Sequence, residues 1–126
     1  MRRMTVIAAG FLFTMIAAAA PALAGYGALA HDEASGKYGL SSNEETQSKA
    51  EEVAKKICGS DSCKIVFRTA AKECGAIAMV SEAKGPNPAW GAGKHGQRGT
   101  AELAAMTNCQ KHTKSQCKIR GVECNR

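Results

Sequence analysis

The chain is 126 residues long and carries 17 lysines and arginines against 11 acidic residues, a formal charge of +6 at pH 7. That length fits one small domain. Aromatic residues make up only 5% of the chain, too few to supply the stacking surfaces that a nucleic-acid binder needs.

The first residues, Met1-Arg2-Arg3, are basic, residues 5–20 are almost wholly apolar, and Ala22-Leu23-Ala24 places small residues two apart. These are the three parts of a secretory signal peptide, predicted over residues 1–24. The competing reading is a membrane anchor, for which the apolar run is slightly short. Cleavage would leave residues 25–126, with no later segment able to span a bilayer. Residues 25–72 hold seven charges of each sign, whereas residues 73–126 hold eight basic against four acidic. The scattered basic residues read as a solvated face rather than a phosphate-binding one.

After the leader, residues 26–32 are predicted to form a strand, Ser35-Gly36 a hairpin turn and residues 37–41 the returning strand. Ser42 and Glu45 have the spacing of a capping box. The helix that follows sets Ala50, Val53, Ala54 and Ile57 on one apolar face, with Glu51–Lys55 and Glu52–Lys56 pairs opposite. Gly59-Ser60-Asp61-Ser62 ends it, and residues 64–67 form the third strand. Then the plan repeats. Gly75-Ala76-Ile77-Ala78 echoes Gly27-Ala28-Leu29-Ala30, Trp90-Gly91 echoes Tyr38-Gly39, and Ala101-Glu102 echoes Ala50-Glu51. Cys109, Cys117 and Lys118-Ile119 stand where the first copy has Cys58, Cys63 and Lys64-Ile65. Several matching features in one order indicate an internal repeat of about 50 residues.

The two copies differ where function is expected to lie. Leu103 and Met106 occupy helix positions held by Glu52 and Lys55 in the first copy, and Asn108 replaces Ile57. Apolar residues on a face that is polar in the twin suggest either deeper burial or a surface for a partner or for self-association. Trp90, Lys94 and Arg98 are expected to join Leu103 and Met106 in such a binding surface. Gly91, Gly93, Gly96 and Gly99 follow Trp90, and close packing explains them better than a phosphate loop, since no P-loop pattern is present. Tyr38 and Trp90 are expected to cover the sheet edge.

Six cysteines in a short exported chain read as a disulfide framework. Equivalence of the repeats pairs Cys58 with Cys63 and Cys109 with Cys117, leaving Cys74 with Cys124. Zinc ligation is the weaker alternative, because the close Cys-x-x-Cys pairs such sites favour are missing. No metal or cofactor is expected. Among titratable groups, His31 with Glu33 or His95 is the one acid–base arrangement to consider, and His112 lies between Cys109 and Cys117.

The combination of Tyr26-Gly27-Ala28-Leu29-Ala30, Tyr38-Gly39, Ala50-Glu51, Cys58, Cys63, Cys74-Gly75-Ala76-Ile77-Ala78 and Trp90-Gly91 resembles the exported bacterial family known as domain of unknown function 4189. The resemblance covers essentially all of residues 25–126. It implies a secreted or periplasmic protein built from a repeated, disulfide-bearing hairpin-helix-strand unit, and it brings no catalytic residues. The expectation is therefore an α+β domain of two strand-strand-helix-strand repeats, residues 25–71 and 72–126, forming a mainly antiparallel six-stranded sheet with two helices. Its expected role is non-enzymatic binding of a macromolecule, a protein or envelope component rather than nucleic acid. A small secreted hydrolase using His31 or His95 is the alternative.

Overall fold

A computed structural model describes residues 25–126, and the predicted signal peptide lies outside the described residues. The elements run β1 (Tyr26–His31), β2 (Tyr38–Glu44), α1 (Gln47–Cys58), β3 (Lys64–Thr69), β4 (Cys74–Val80), β5 (Trp90–His95), α2 (Arg98–Gln110) and β6 (Cys117–Cys124). The strand-strand-helix-strand unit therefore occurs twice. Its registers also coincide: His31 faces Tyr38 and Ala30 faces Gly39 in the first copy, while Met79 faces Trp90 and Ala78 faces Gly91 in the second. One bulge recurs as well, falling between Leu29 and Ala30 on the β3 side and between Ile77 and Ala78 on the β6 side, whereas the shift between Tyr26 and Ala28 on the β2 side has no counterpart between β4 and β5.

The six antiparallel strands are divided between two three-stranded sheets, ordered β2-β1-β3 and β5-β4-β6. This corrects the expectation of one continuous sheet. Each central strand already has both edges paired within its own repeat, so the repeats can join only through outer strands or through faces. Faces win because β1 and β4 are apolar on both sides. Ala28 and Ala30 pack on Ala50, Ala54 and Cys58 of α1, and Ala76 and Ala78 pack on Ala101, Ala105 and Cys109 of α2. The alternate residues, Leu29 and Ile77, meet between the sheets with Met79, Leu40, Phe67, Tyr38 and Trp90. The result is a four-layer stack, helix-sheet-sheet-helix. Burying Leu29 and Ile77 completely contributes about 1.5–3 kcal/mol each, an energy that edge-to-edge pairing would forgo.

Each helix sits directly on its sheet because the strand beneath has glycine. A Cβ on Gly39 would collide with Ala54 O and Cys58 N, and one on Gly91 with Cys109 N and Ala105 O. The paired aromatic-glycine motifs thus mark the helix seats. Such close approach narrows the buried stripe of α1 to Ala50, Ala54 and Cys58, with Ile57 57% exposed rather than in the core. The helix also starts later than the Ser42 box suggests: β2 continues to Glu44, and Thr46 Oγ1 caps α1 by accepting from Lys49 N at 3.0 Å. Gly59 ends it in the left-handed region at φ 76°.

Three disulfides close the structure: Cys58–Cys63 between α1 and β3, Cys109–Cys117 between α2 and β6, and Cys74–Cys124 between β4 and β6. At one end of the stack the repeats are stitched by Asn125, whose Nδ2 donates to Thr69 Oγ1 and Ala70 O, each at 2.8 Å, while its Oδ1 accepts from Asn43 N at 2.9 Å. Tyr38 Oη adds a bond to Arg120 O at 2.9 Å. At the other end the two hairpin loops meet, and there the candidate site lies.

Candidate functional site

The first loop is short because Asp32 holds it. Its carboxylate accepts from the Ser35 hydroxyl at 2.8 Å, the Ser60 hydroxyl at 2.9 Å and Ala34 N at 3.1 Å. Those bonds, the Ser35 one foremost, keep the acid below its ordinary range. Asp32 is therefore spent on architecture, and Glu33, the next residue, is left facing solvent. The second loop presses on the first. Asn87 N donates to Ala34 O at 3.0 Å with Asn87 at φ 55°, and Gly36, at φ 78°, leaves room for Pro88.

Where the loops meet, two bays of about 690 and 630 Å³ open on the surface. Both are lined by Glu33, Val66, Asn87 and Trp90, so they form one groove at the junction of the repeats. Asn108 and His112 close the first bay, and His31 and Lys64 border the second. Each bay is within the size range of small-ligand sites.

Trp90, half-buried, is the common wall of both bays. Its indole stacks on the His31 ring with centroids 4.1 Å apart and planes 32° from parallel. His31 itself is 2% exposed, and neither ring nitrogen has a hydrogen-bond partner. Leaving a buried polar atom unpaired costs about 1–3 kcal/mol. The twin position shows that the fold does not require this: Met79, apolar, stands where His31 does.

Burial, the dominant influence, pushes the His31 imidazole below its ordinary value near 6.5, against the opposing pull of the Glu33 and Asp32 carboxylates. Lys64 of β3 and Tyr38 of β2 are its cross-strand neighbours. With the folded pKa below the unfolded one, the unfolded chain binds more protons as acid is added. The His31 contribution to stability is thus full above pH 6.5 and declines as pH falls below it. A series of urea unfoldings from pH 8 to pH 5 is expected to show this loss in the wild type and a flatter profile in His31→Met; identical slopes would refute the assignment.

Of the residues singled out from the sequence, Trp90 lies in the groove. Lys94 shares its strand face, two pleats along, and donates to Arg68 O at 3.1 Å. Arg98 is paired with Glu102 at 3.1 Å at the start of α2. Leu103 is 67% exposed on the outer side of α2, whereas Met106 packs against the second core cluster. Since Gly91 and Gly93 face α2 and Trp90 faces the opposite sheet, Leu103 and Trp90 are on opposite sides of sheet β5-β4-β6. The five residues do not make one surface. The His31–His95 pair is divided too: His95 pairs with Cys74 and Trp90 with Met79, at opposite ends of β4. His95 Nδ1 instead accepts from Gln97 N at 3.0 Å. What the sequence did not reveal is that Glu33, Asn87 and His112, from three separate loops, converge on Trp90. The one available signal was the polar His31 opposite apolar Met79 in the twin.

Among the described residues no group of histidine, cysteine and acidic side chains is arranged to hold a metal, and no helix is long and apolar enough to cross a membrane.

The family model for domain of unknown function DUF4189 matches residues 26–124, and the chain belongs to that family. No curated protein matches it. Among solved structures it is similar to the NMR structure of Rv1813c from Mycobacterium tuberculosis, at 24% identity over 99% of both chains with a TM-score of 0.59. That likeness extends to the fold alone.

Proposed function

We propose that this DUF4189 domain is a non-enzymatic binding module that works outside the cytoplasm, secreted or periplasmic, and captures an envelope macromolecule in the groove at the junction of its repeats. All six cysteines are joined in disulfides, a pattern that suits an oxidising compartment. The observation that carries the reading is Trp90. It is the one tryptophan of the chain, it is half-buried rather than sunk in the core, and it forms the shared wall of both bays. Tryptophan held in a packed pocket is among the commonest anchors of a binding hot spot.

Binding of the oxidised domain, residues 25–126, to cell-envelope fractions tests this. Trp90→Ala is expected to weaken capture at least about tenfold, equivalent to ~1.4 kcal/mol. Leu103→Glu, on the far side of the sheet, is expected to bind as the wild type does. Loss of capture with Leu103→Glu and retention with Trp90→Ala would move the site to the outer face of α2.

A further inference from the structure

We infer that the segment bound in the groove is a saccharide, a run of sugar rings from a wall or surface glycan. This rests on the binding reading above and gives it a ligand class. The indole of Trp90 is held from one side by the His31 stack, so its position is set before any ligand arrives, which lowers the entropic cost of binding. An indole is apolar over its body with a polar N–H at its rim. That matches a pyranose ring, whose C–H face is apolar and whose rim is hydroxyl.

The polar groups around it have the same logic. His31 lines the bay with its two nitrogens buried and unpartnered, at a position where the twin repeat accepts methionine. A neutral imidazole offers one donor and one acceptor, and a hydroxyl is both. Glu33 and Asn87 line the same groove, the carboxylate able to accept from a hydroxyl and the amide able to donate to one or accept from it. Lys64 is the one Lys or Arg bordering these two bays, so they lack the clustered positive charge that a phosphate-rich ligand would call for. An extended peptide added to the sheet edge fits less well. It would need free carbonyls along β5, and Ala92 O already accepts from Asn108 Nδ2 at 2.7 Å.

The lone tryptophan makes the test direct. Its emission is followed while the oxidised protein is titrated with chitohexaose, cellohexaose and soluble glycan strands released from cell walls, with a neutral hexapeptide in parallel. A saturable change with at least one saccharide and none with the peptide is expected. His31→Met should weaken that saccharide about tenfold at pH 8 with its unfolding midpoint retained or raised, and His31→Gln, which restores a donor and an acceptor, should recover most of the loss. A flat response to every saccharide, with envelope capture that still depends on Trp90 and survives glycan digestion, overturns the saccharide class and leaves the groove standing. Capture indifferent to Trp90 overturns both.

Discussion

Gly91→Val is expected to abolish the native state at room temperature. Its Cβ would fall on backbone atoms of α2, meeting Cys109 N as well as Ala105 O and the Asn108 carbonyl carbon at 2.6 Å. Backbone, unlike the end of a flexible side chain, has no rotamer by which to give way. The helix must lift, and the alanines it shares with β4, Ala76, Ala78, Ala101 and Ala105, are uncovered together. Overpacking in a core ordinarily costs about 1–3 kcal/mol, and more where the clash is rigid. Against a total of roughly 5–15 kcal/mol, losing the whole helix seat removes most of the fold. Gly99→Ala provides the contrast in the same helix. Nothing lies within 4 Å of its added methyl, so it should stabilise by about 0.5–1 kcal/mol. Circular dichroism and urea unfolding of the two variants check both signs.

The second large effect is a ranking of the disulfides. Removing Cys74–Cys124, which closes a separation of 50 residues, is expected to cost about 4 kcal/mol by the chain-entropy model. Removing Cys58–Cys63, separated by 5, should cost about 2 kcal/mol by the same relation. The long bridge ties β4 to the last strand, so its loss also frees the Asn125 stitch beyond Cys124. Paired alanine variants compared by urea midpoint give the order. Equal losses, or a larger loss from the short bridge, would contradict it.

Much of this architecture is legible in the sequence because duplication supplies an internal standard. Two copies of an Ala-apolar-Ala strand, an aromatic-glycine pair and a helix-to-strand cysteine bridge define the unit, and the equivalent cysteines single out the same three links that close the structure. Gly91 was legible as a close-packing position and Gly39 as its match in the first copy, though not what packed on them. Sheet number was hidden, since a strand that is apolar on both faces reads alike whether helices or another sheet cover it. Ile57 misled for a related reason: periodicity gives the face, but the glycine seat decides how wide a stripe is buried. The groove was least visible. Glu33, Asn87, Trp90 and His112 are separated by up to 79 positions in the chain and converge only through the stacking of the sheets.

Stacking also explains why the two ends of the molecule differ. Around Asn125 no buried side-chain nitrogen or oxygen among the described residues lacks a partner, and Asn125 itself bonds Asn43, Thr69 and Ala70. Around Trp90 the twin symmetry is broken, with histidine for methionine and tryptophan for tyrosine, and polar groups are left unpaired. A site that departs from its own internal copy at a cost in stability is where function is expected.

Backbone amide mapping by NMR, with the oxidised domain and the envelope fraction that it captures, tests this most directly. The account predicts that Glu33, Val66, Asn87, Trp90 and His112 shift together while Ile57 and Leu103, on the outer faces of the helices, stay fixed. Shifts gathered on Leu103 and its helix, with the groove unmoved, would contradict it.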